Sequence, residues 1–294
     1  MKKKERDALL TLPVILLAGG MLAVAGSRGG AAVAGVPLFA LCVALAFVIQ
    51  WLAFVPAYRW QTERFYDLTG SITYVSVTGL AVVLSPAAGA RALLLAALVV
   101  VWSVRLGAFL FRRIRKAGKD ERFDALKPSL VRFLQVWTLQ GLWVSFTAGA
   151  AWAAITSTVR EGLGWPAALG ALIWMAGFAM EVVADEQKRR FRADPANEGD
   201  FIKSGLWAWS RHPNYFGEIV LWIGVAVVAL PVLQGWQLVT LVSPVFVALL
   251  LTRISGIPLL EKRADERWGE RADYRAYKAR TPVLVPRPPG SSAG

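Results

Sequence analysis

One cysteine, Cys42, and one histidine, His212, are all this chain of 294 residues holds of the two side chains most used to staple a fold or grip a metal. An intramolecular disulfide, a thiolate cluster and a multi-histidine metal site within one chain are therefore excluded, and no metal is expected. Charge is scarce as well. Asp, Glu, Lys and Arg make up 18% of the residues, whereas soluble globular chains carry about 25%. A Gly-x-Gly-x-x-Gly fingerprint is absent, so any nucleotide bound here is not held by a Rossmann turn. What is abundant is apolar sequence, 56% of the chain. It gathers into runs of roughly 17–24 residues, long enough to cross a hydrocarbon core of about 30 Å.

Eight such segments stand out, at residues 8–26, 33–57, 68–86, 92–111, 136–157, 165–184, 216–232 and 236–252. They predict an all-α, polytopic transmembrane helical bundle of seven to eight spans. The whole of 1–294 reads as a single integral-membrane domain with a cytoplasmic tail over 253–294. A soluble enzyme, a coiled coil, a disordered protein and a disulfide scaffold are ruled out. The first segment follows Lys2–Lys4 and ends near Ala23-Val24-Ala25, which resembles a cleaved signal peptide. Its removal would leave seven spans, and the segment is read as a span.

The net charge of +13 raises the question of nucleic acid, and its distribution answers it. Lys and Arg crowd the N-terminus, the 112–132 and 185–215 stretches and the tail, with Arg59 and Arg64 in the second loop. The alternate loops hold only Arg28, Arg91 and Arg160. By the positive-inside rule both termini and every large loop face the cytoplasm, and topology accounts for the charge without nucleic acid. No obligate protein partner is indicated; membrane lipids are the implied surroundings. The external loops are short and nearly bare of polar chemistry, so function belongs to the cytoplasmic membrane surface.

Ionisable groups at membrane depth are costly and usually face protein interior or a water-filled cavity. Arg105, Glu181 and Glu218 lie within spans, with Asp67 and Asp185 at cytoplasmic span ends. Asp67 taken alone reads as a helix-dipole acid, and Arg105 reads equally as a side chain snorkelling to headgroups. Glu218, just inside an apolar run, gains nothing from facing lipid. Spans one, five and eight hold no acid, and no matching pair of broken helices marks inverted repeats, which argues against transport. Beyond the sixth span, Asp185, Arg189 and Arg192 share a helical face if the helix continues. Guanidinium groups there suit phosphates; anionic lipid is the alternative occupant.

Ser204-Gly205-Leu206-Trp207 followed by Ser210-Arg211-His212-Pro213-Asn214-Tyr215-Phe216-Gly217-Glu218 resembles the C-terminal signature of membrane steroid 5α-reductases and their bacterial relatives. The Asp185…Arg189…Arg192 helix end is similar to that family, as is Ser255–Lys262 with Tyr274 and Tyr277 ahead of Pro282. The resemblance covers roughly residues 60–285. The Arg-His-Pro segment also resembles the integral-membrane isoprenylcysteine carboxyl methyltransferases, which use S-adenosylmethionine.

The reductase resemblance implies NADPH from the cytosol and a steroid or other enone lipid from the bilayer. Reduction takes place across the Δ4 double bond of a 3-oxosteroid, with hydride to C5 and a proton to C4. It implies that Arg105, Asp185, Arg189, Arg192, Asn214 and Glu218 contact NADPH. Arg211, His212, Tyr215, Glu261 and Tyr277, within the same motifs, join that set. The family's carbonyl-binding glutamate and tyrosine fall near Asp67 and Trp102. Tryptophan keeps an N–H but cannot supply a proton, so Asp67, Tyr66 and Tyr74 are the candidate acids. Trp51 and Trp102 are the candidate rings against a flat substrate. The compact loops and Ala/Arg/Gly-rich composition point to a bacterial inner membrane.

Overall fold

The computed structural model describes residues 3–86 and 88–289. Ten α-helices follow in order: α1 Lys3–Ser27, α2 Leu38–Arg59, α3 Tyr66–Leu84, α4 Ala90–Ala117, α5 Leu130–Thr156, α6 Trp165–Ala193, α7 Pro213–Ala229, α8 Ser243–Leu249, α9 Ile257–Trp268 and α10 Ala272–Arg280. The protein is an all-α polytopic bundle. Among the described residues, seven helical stretches are long and apolar enough to cross a membrane: α1, α2, α3, α4, α6, α7 extended to Val232, and the run Gly235–Trp268.

Three expected spans take a different form. The segment expected over 33–57 begins instead with a short hairpin, Ala32–Val33 against Val36–Pro37. Ala34 and Gly35 both have positive φ, as its tight two-residue turn requires. Residues 236–252 are not one α-helix. They form a 3-10 helix over Gly235–Val242, then α8, then a π-helical turn over Leu250–Ile254. The fifth segment is a full helix, α5, yet is not among the seven stretches long and apolar enough to cross. Every residue from 147 to 157 is buried. A helix sheathed by other helices needs no lipid-compatible surface, so it tolerates Gln140, Ser145, Thr147 and Thr156.

The sequence reads as one domain, but the described chain divides into two compact units, Met1–Ala168 with Val225–Ser243, and Leu169–Gly224 with Pro244–Gly294. In the first unit α5 packs against α1, α2, α3, α4 and the 3-10 helix. Its polar groups bond inside it. Gln50 Nε2 donates to Thr73 Oγ1 at 2.7 Å and Trp152 Nε1 to Thr78 Oγ1 at 2.9 Å. Arg91, expected as an external loop charge, is 5% exposed. Its guanidinium donates to the carbonyls of Val228 at 2.7 Å and Gly162 at 2.6 Å. A buried arginine thus answers a carbonyl in the last turn of α7 and another in the connection between α5 and α6.

In the second unit α6 and α7 touch backbone to backbone. A Cβ on Gly217 would lie 2.6 Å from the Gly177 carbonyl oxygen, and one on Gly224 would lie 2.6 Å from that of Gly170. Both pairs are spaced seven residues apart, so small residues recur on one face every two turns, the arrangement that brings membrane helices into close contact. Gly217→Val puts three carbons where backbone already stands. We expect it to destabilise the protein by at least about 1–3 kcal/mol, read as a lower melting temperature in detergent. Gly79→Ala, with nothing within 4 Å of the added carbon, serves as the neutral control.

Candidate functional site

The Ser204–Trp207 segment of the second unit is shaped by one glycine. Gly205 has φ +59, and a Cβ there would lie 2.6 Å from the Gln187 side chain. Gln187 of α6 accepts from Leu206 N–H at 2.9 Å, and Trp207 Nε1 donates to the Ala184 carbonyl at 2.9 Å. The Trp207 carbonyl accepts from the Tyr277 hydroxyl of α10 at 2.7 Å. One short turn is thereby fixed to two helices. Pro213 then starts α7, where its missing N–H costs nothing, and Ser210 Oγ accepts from His212 N–H at 3.1 Å.

The chain after α10 straps this segment down. Arg211 N–H donates to the Pro282 carbonyl and Arg287 N–H to that of Trp209, both at 2.9 Å. Glu261 of α9 completes the clasp. It lies 2.9 Å from Arg211 Nη1, 2.9 Å from His212 Nε2 and 3.4 Å from Lys278 Nζ. Burial draws the His212 pKa below the usual imidazole value, opposed by the Glu261 carboxylate. The ring is therefore neutral at pH 7, and Nε2 carries the hydrogen that the carboxylate accepts. Burial also pushes the Tyr274 and Tyr277 hydroxyls up, so both remain protonated donors.

A cavity of about 310 Å³ opens here. The end of α6 lines it with Lys188, Phe191 and Arg192, the motif with Trp207, Arg211 and His212. The face of α9 adds Glu261, Arg263 and Arg267, and Phe201, Trp268, Tyr274 and Tyr277 supply aromatic walls. Cations predominate, with aromatic rings beside them. Such a lining suits the phosphates and flat base of a nucleotide. Among the described residues no group of three or more His, Cys, Asp or Glu is placed to hold a metal.

Of the residues that the sequence assigns to the cosubstrate, Arg192, Arg211, His212, Glu261 and Tyr277 come together around this cavity. Asp185, 8% exposed, accepts from Asn214 Nδ2 at 3.1 Å and so joins α6 to α7. Tyr215 stacks on His212 with ring centroids 5.7 Å apart. Asn214, Tyr215 and Glu218 are not among the lining residues. Arg189 departs from expectation. It is exposed and bonds Glu186 through two nitrogens at 2.6 and 2.7 Å. The face that meets the cavity runs through 188 and 192, and residue 189 is about 100° round the helix from 188. Lys188, its Nζ 4.2 Å over the Trp207 ring, is the residue that the spacing argument missed.

The remaining candidates lie in the first unit. Arg105 is on α4, its guanidinium 5.4 Å from the Phe109 ring centroid. The α3–α4 pair aligns three others. Asp67 faces Arg113 at 3.5 Å, Ser71 meets Gly107, and Tyr74 makes an edge contact with Trp102, centroids 5.1 Å apart. Asp67 and Tyr74 share that face, about 10 Å apart along the helix, too far for one carbonyl oxygen to touch both. Tyr66 points away, donating to the Val136 carbonyl at 3.1 Å and packing edge-on to Trp137. Trp51 is 37% exposed and donates to Thr138 Oγ1 at 3.1 Å. Glu63, passed over in the sequence, is 4% exposed and receives Asp120 N–H at 2.7 Å and Lys127 Nζ at 2.6 Å. It organises the basic loop after α4.

Residues 53–281 match a family described as a protein of unknown function, DUF1295. The chain belongs to the DUF1295 family. The matched range begins within α2, so the DUF1295 region holds both the α3–α4 face and the complete cavity. The chain is also similar to "Uncharacterized protein C594.04c" of Schizosaccharomyces pombe, 24% identical over 234 residues. That match takes in 69% of this chain and 66% of the yeast protein, a little under two thirds of its length. No solved structure matches.

Glu261→Ala removes the carboxylate that Arg211 and His212 face while leaving both cavity groups largely buried. Stranding a buried charge in this way costs about 3–5 kcal/mol. We expect the variant to melt well below the wild-type protein. An unchanged melting temperature would show that the clasp contributes nothing.

Proposed function

We propose that this protein is an NADPH-dependent reductase of the Δ4 double bond of 3-oxosteroids or similar enone lipids, working at the cytoplasmic face of a bacterial inner membrane with both termini on that side. The observation that carries the reading is the cation-lined, ring-walled cavity around the His-Pro segment. It fits a dinucleotide's phosphates and base. It suits S-adenosylmethionine poorly, because that molecule has no phosphate and carries a positive sulfonium. The alternation of basic and bare loops supports the orientation.

NADPH, when bound, supplies a hydride to C5 of the 4-ene-3-one, and a proton at C4 completes the reduction. The chain's own work is to hold phosphates and to place a hydrogen-bond donor against the 3-keto oxygen as it becomes enolate-like. Lys188, Arg192 and Arg211 serve the first role. Asp67, in its protonated form, serves the second from the mouth of α3, since the Tyr66 hydroxyl is committed to a backbone carbonyl. Trp102 and Tyr74 lie on the same α3–α4 face and form apolar wall for the lipid.

Two measurements test this. NADPH at a hundredfold excess over its Kd raises the stability of the purified protein by about 2.7 kcal/mol, and S-adenosylmethionine gives no rise. The reverse result makes the protein a membrane methyltransferase. With a 4-ene-3-oxosteroid as substrate, Asp67→Leu lowers kcat at least about a hundredfold, the scale for a lost positioned acid, while NADPH affinity stays within a few-fold. A near wild-type rate would transfer the role to Tyr74, and Tyr74→Phe would then carry the loss.

A further inference from the structure

The acids of α9 each have particular partners. Glu261 faces Arg211, His212 and Lys278, Asp265 faces Lys278 at 2.6 Å, and Glu266 faces Lys262 at 3.8 Å. Arg263 and Arg267 are left over. Neither forms an ion pair among the described residues, and both line the cavity. They stand four residues apart on the helical face that also carries Leu260 and Ala264 into it. Like charges at that spacing repel each other along a helix. Two unneutralised guanidinium groups aimed at one cavity are what an anion of more than one charge would need. The Arg267 guanidinium is steadied 5.0 Å over the Trp268 ring, and Arg192 of α6 lines the same space.

The size of the cavity decides which anion. Sites for drug-sized ligands run from about 300 to 1,000 Å³, and this one, at about 310 Å³, is at the lower limit. It has room for one end of a dinucleotide. Resting on the reading of this cavity as a cosubstrate site, we propose that Arg263 and Arg267 bind the 2′-phosphate of NADPH and thereby select NADPH over NADH. The two cosubstrates differ only in that phosphomonoester, which carries about −1.5 to −2 charges at pH 7. Two forked guanidinium groups match its three terminal oxygens. Phe201, Trp268 and Tyr274 give the adjoining adenine a stacking surface.

The test measures binding by calorimetry on the purified full chain with four probes: NADPH, NADH, 2′,5′-ADP and 5′-AMP. Wild-type protein is expected to favour NADPH over NADH, and 2′,5′-ADP over 5′-AMP, by tenfold or more. Arg263→Ala and Arg267→Ala each erase most of that preference by weakening the 2′-phosphorylated member of each pair, leaving NADH and 5′-AMP within a few-fold. Lys262→Ala, on the same helix and paired with Glu266, leaves the preference intact and shows that α9 still folds. Arg263→Lys keeps the charge without the fork and falls between. Equal binding of NADPH and NADH by the wild type overturns the inference while leaving the cosubstrate reading standing. Binding of neither overturns both. Phosphatidic acid vesicles give the remaining arm. If they stabilise the protein through Arg263 and Arg267 and 2′,5′-ADP does not, the phosphomonoester belongs to a lipid and the nucleotide assignment is wrong.

Discussion

Glu261 gathers three groups from separate pieces of chain: the Arg211 guanidinium and the neutral His212 ring from the segment before α7, and the Lys278 ammonium from α10. The second unit is assembled around that carboxylate. Without it, the His-Pro segment and α10 would each present a buried or half-buried charge with nothing to answer it, and such a charge costs far more than a packing defect. With it, the strap from Pro282 to Arg287 can lie along residues 209–211, and Tyr277 can reach the Trp207 carbonyl. The cavity is the space left between the parts so tied. Its lining stays basic because Lys188, Arg192, Arg211, Arg263 and Arg267 outnumber the acids Glu261 and Asp200.

The first unit obeys the same constraint in another form. In hydrocarbon an unsatisfied polar group has no water to turn to. Arg91 answers by donating to three backbone carbonyls, and Gln50 and Trp152 answer with threonine hydroxyls one helix away. Such polar residues are admitted only where protein surrounds them, which is why α5 carries several. The α3–α4 face is the exception in kind. It sets an acid, Asp67, at one end and an aromatic pair, Tyr74 and Trp102, two turns along. A lipid headgroup region and a hydrocarbon region would meet along such a face.

The contrast between Arg189 and Arg192 shows how finely a helical surface sorts similar residues. Three positions apart, both are basic and both were matched to the same role. One is spent on Glu186 in a surface pair of small energetic value. The other lines the cavity together with Lys188. Close backbone contact between α6 and α7 at Gly177 and Gly217 fixes the rotation of α6, and with it which side chains of its last turns face inward.

Sequence alone determined the fold class and the neighbourhood of the site. Apolar runs of spanning length dictate transmembrane helices because an unpaired backbone is intolerable in lipid, and motif residues close in sequence, such as Arg211 and His212, are bound to stay close in space. It singled out Asp67, Tyr74 and Trp102, and seven-residue spacing already puts Asp67 and Tyr74 two turns apart on one helical face, but it did not show that the Trp102 ring of α4 stands edge-on against Tyr74. Only the tertiary structure decided which groups are spent on holding the protein together. Arg91 looked like a loop charge and is a buried clamp; Tyr66 looked like an acid and is a bond to Val136; Glu63 looked like nothing and organises a loop. Each depends on a partner between 57 and 137 positions away. Local pattern carries no record of such pairings, because they are set by how helices rotate and pack against one another.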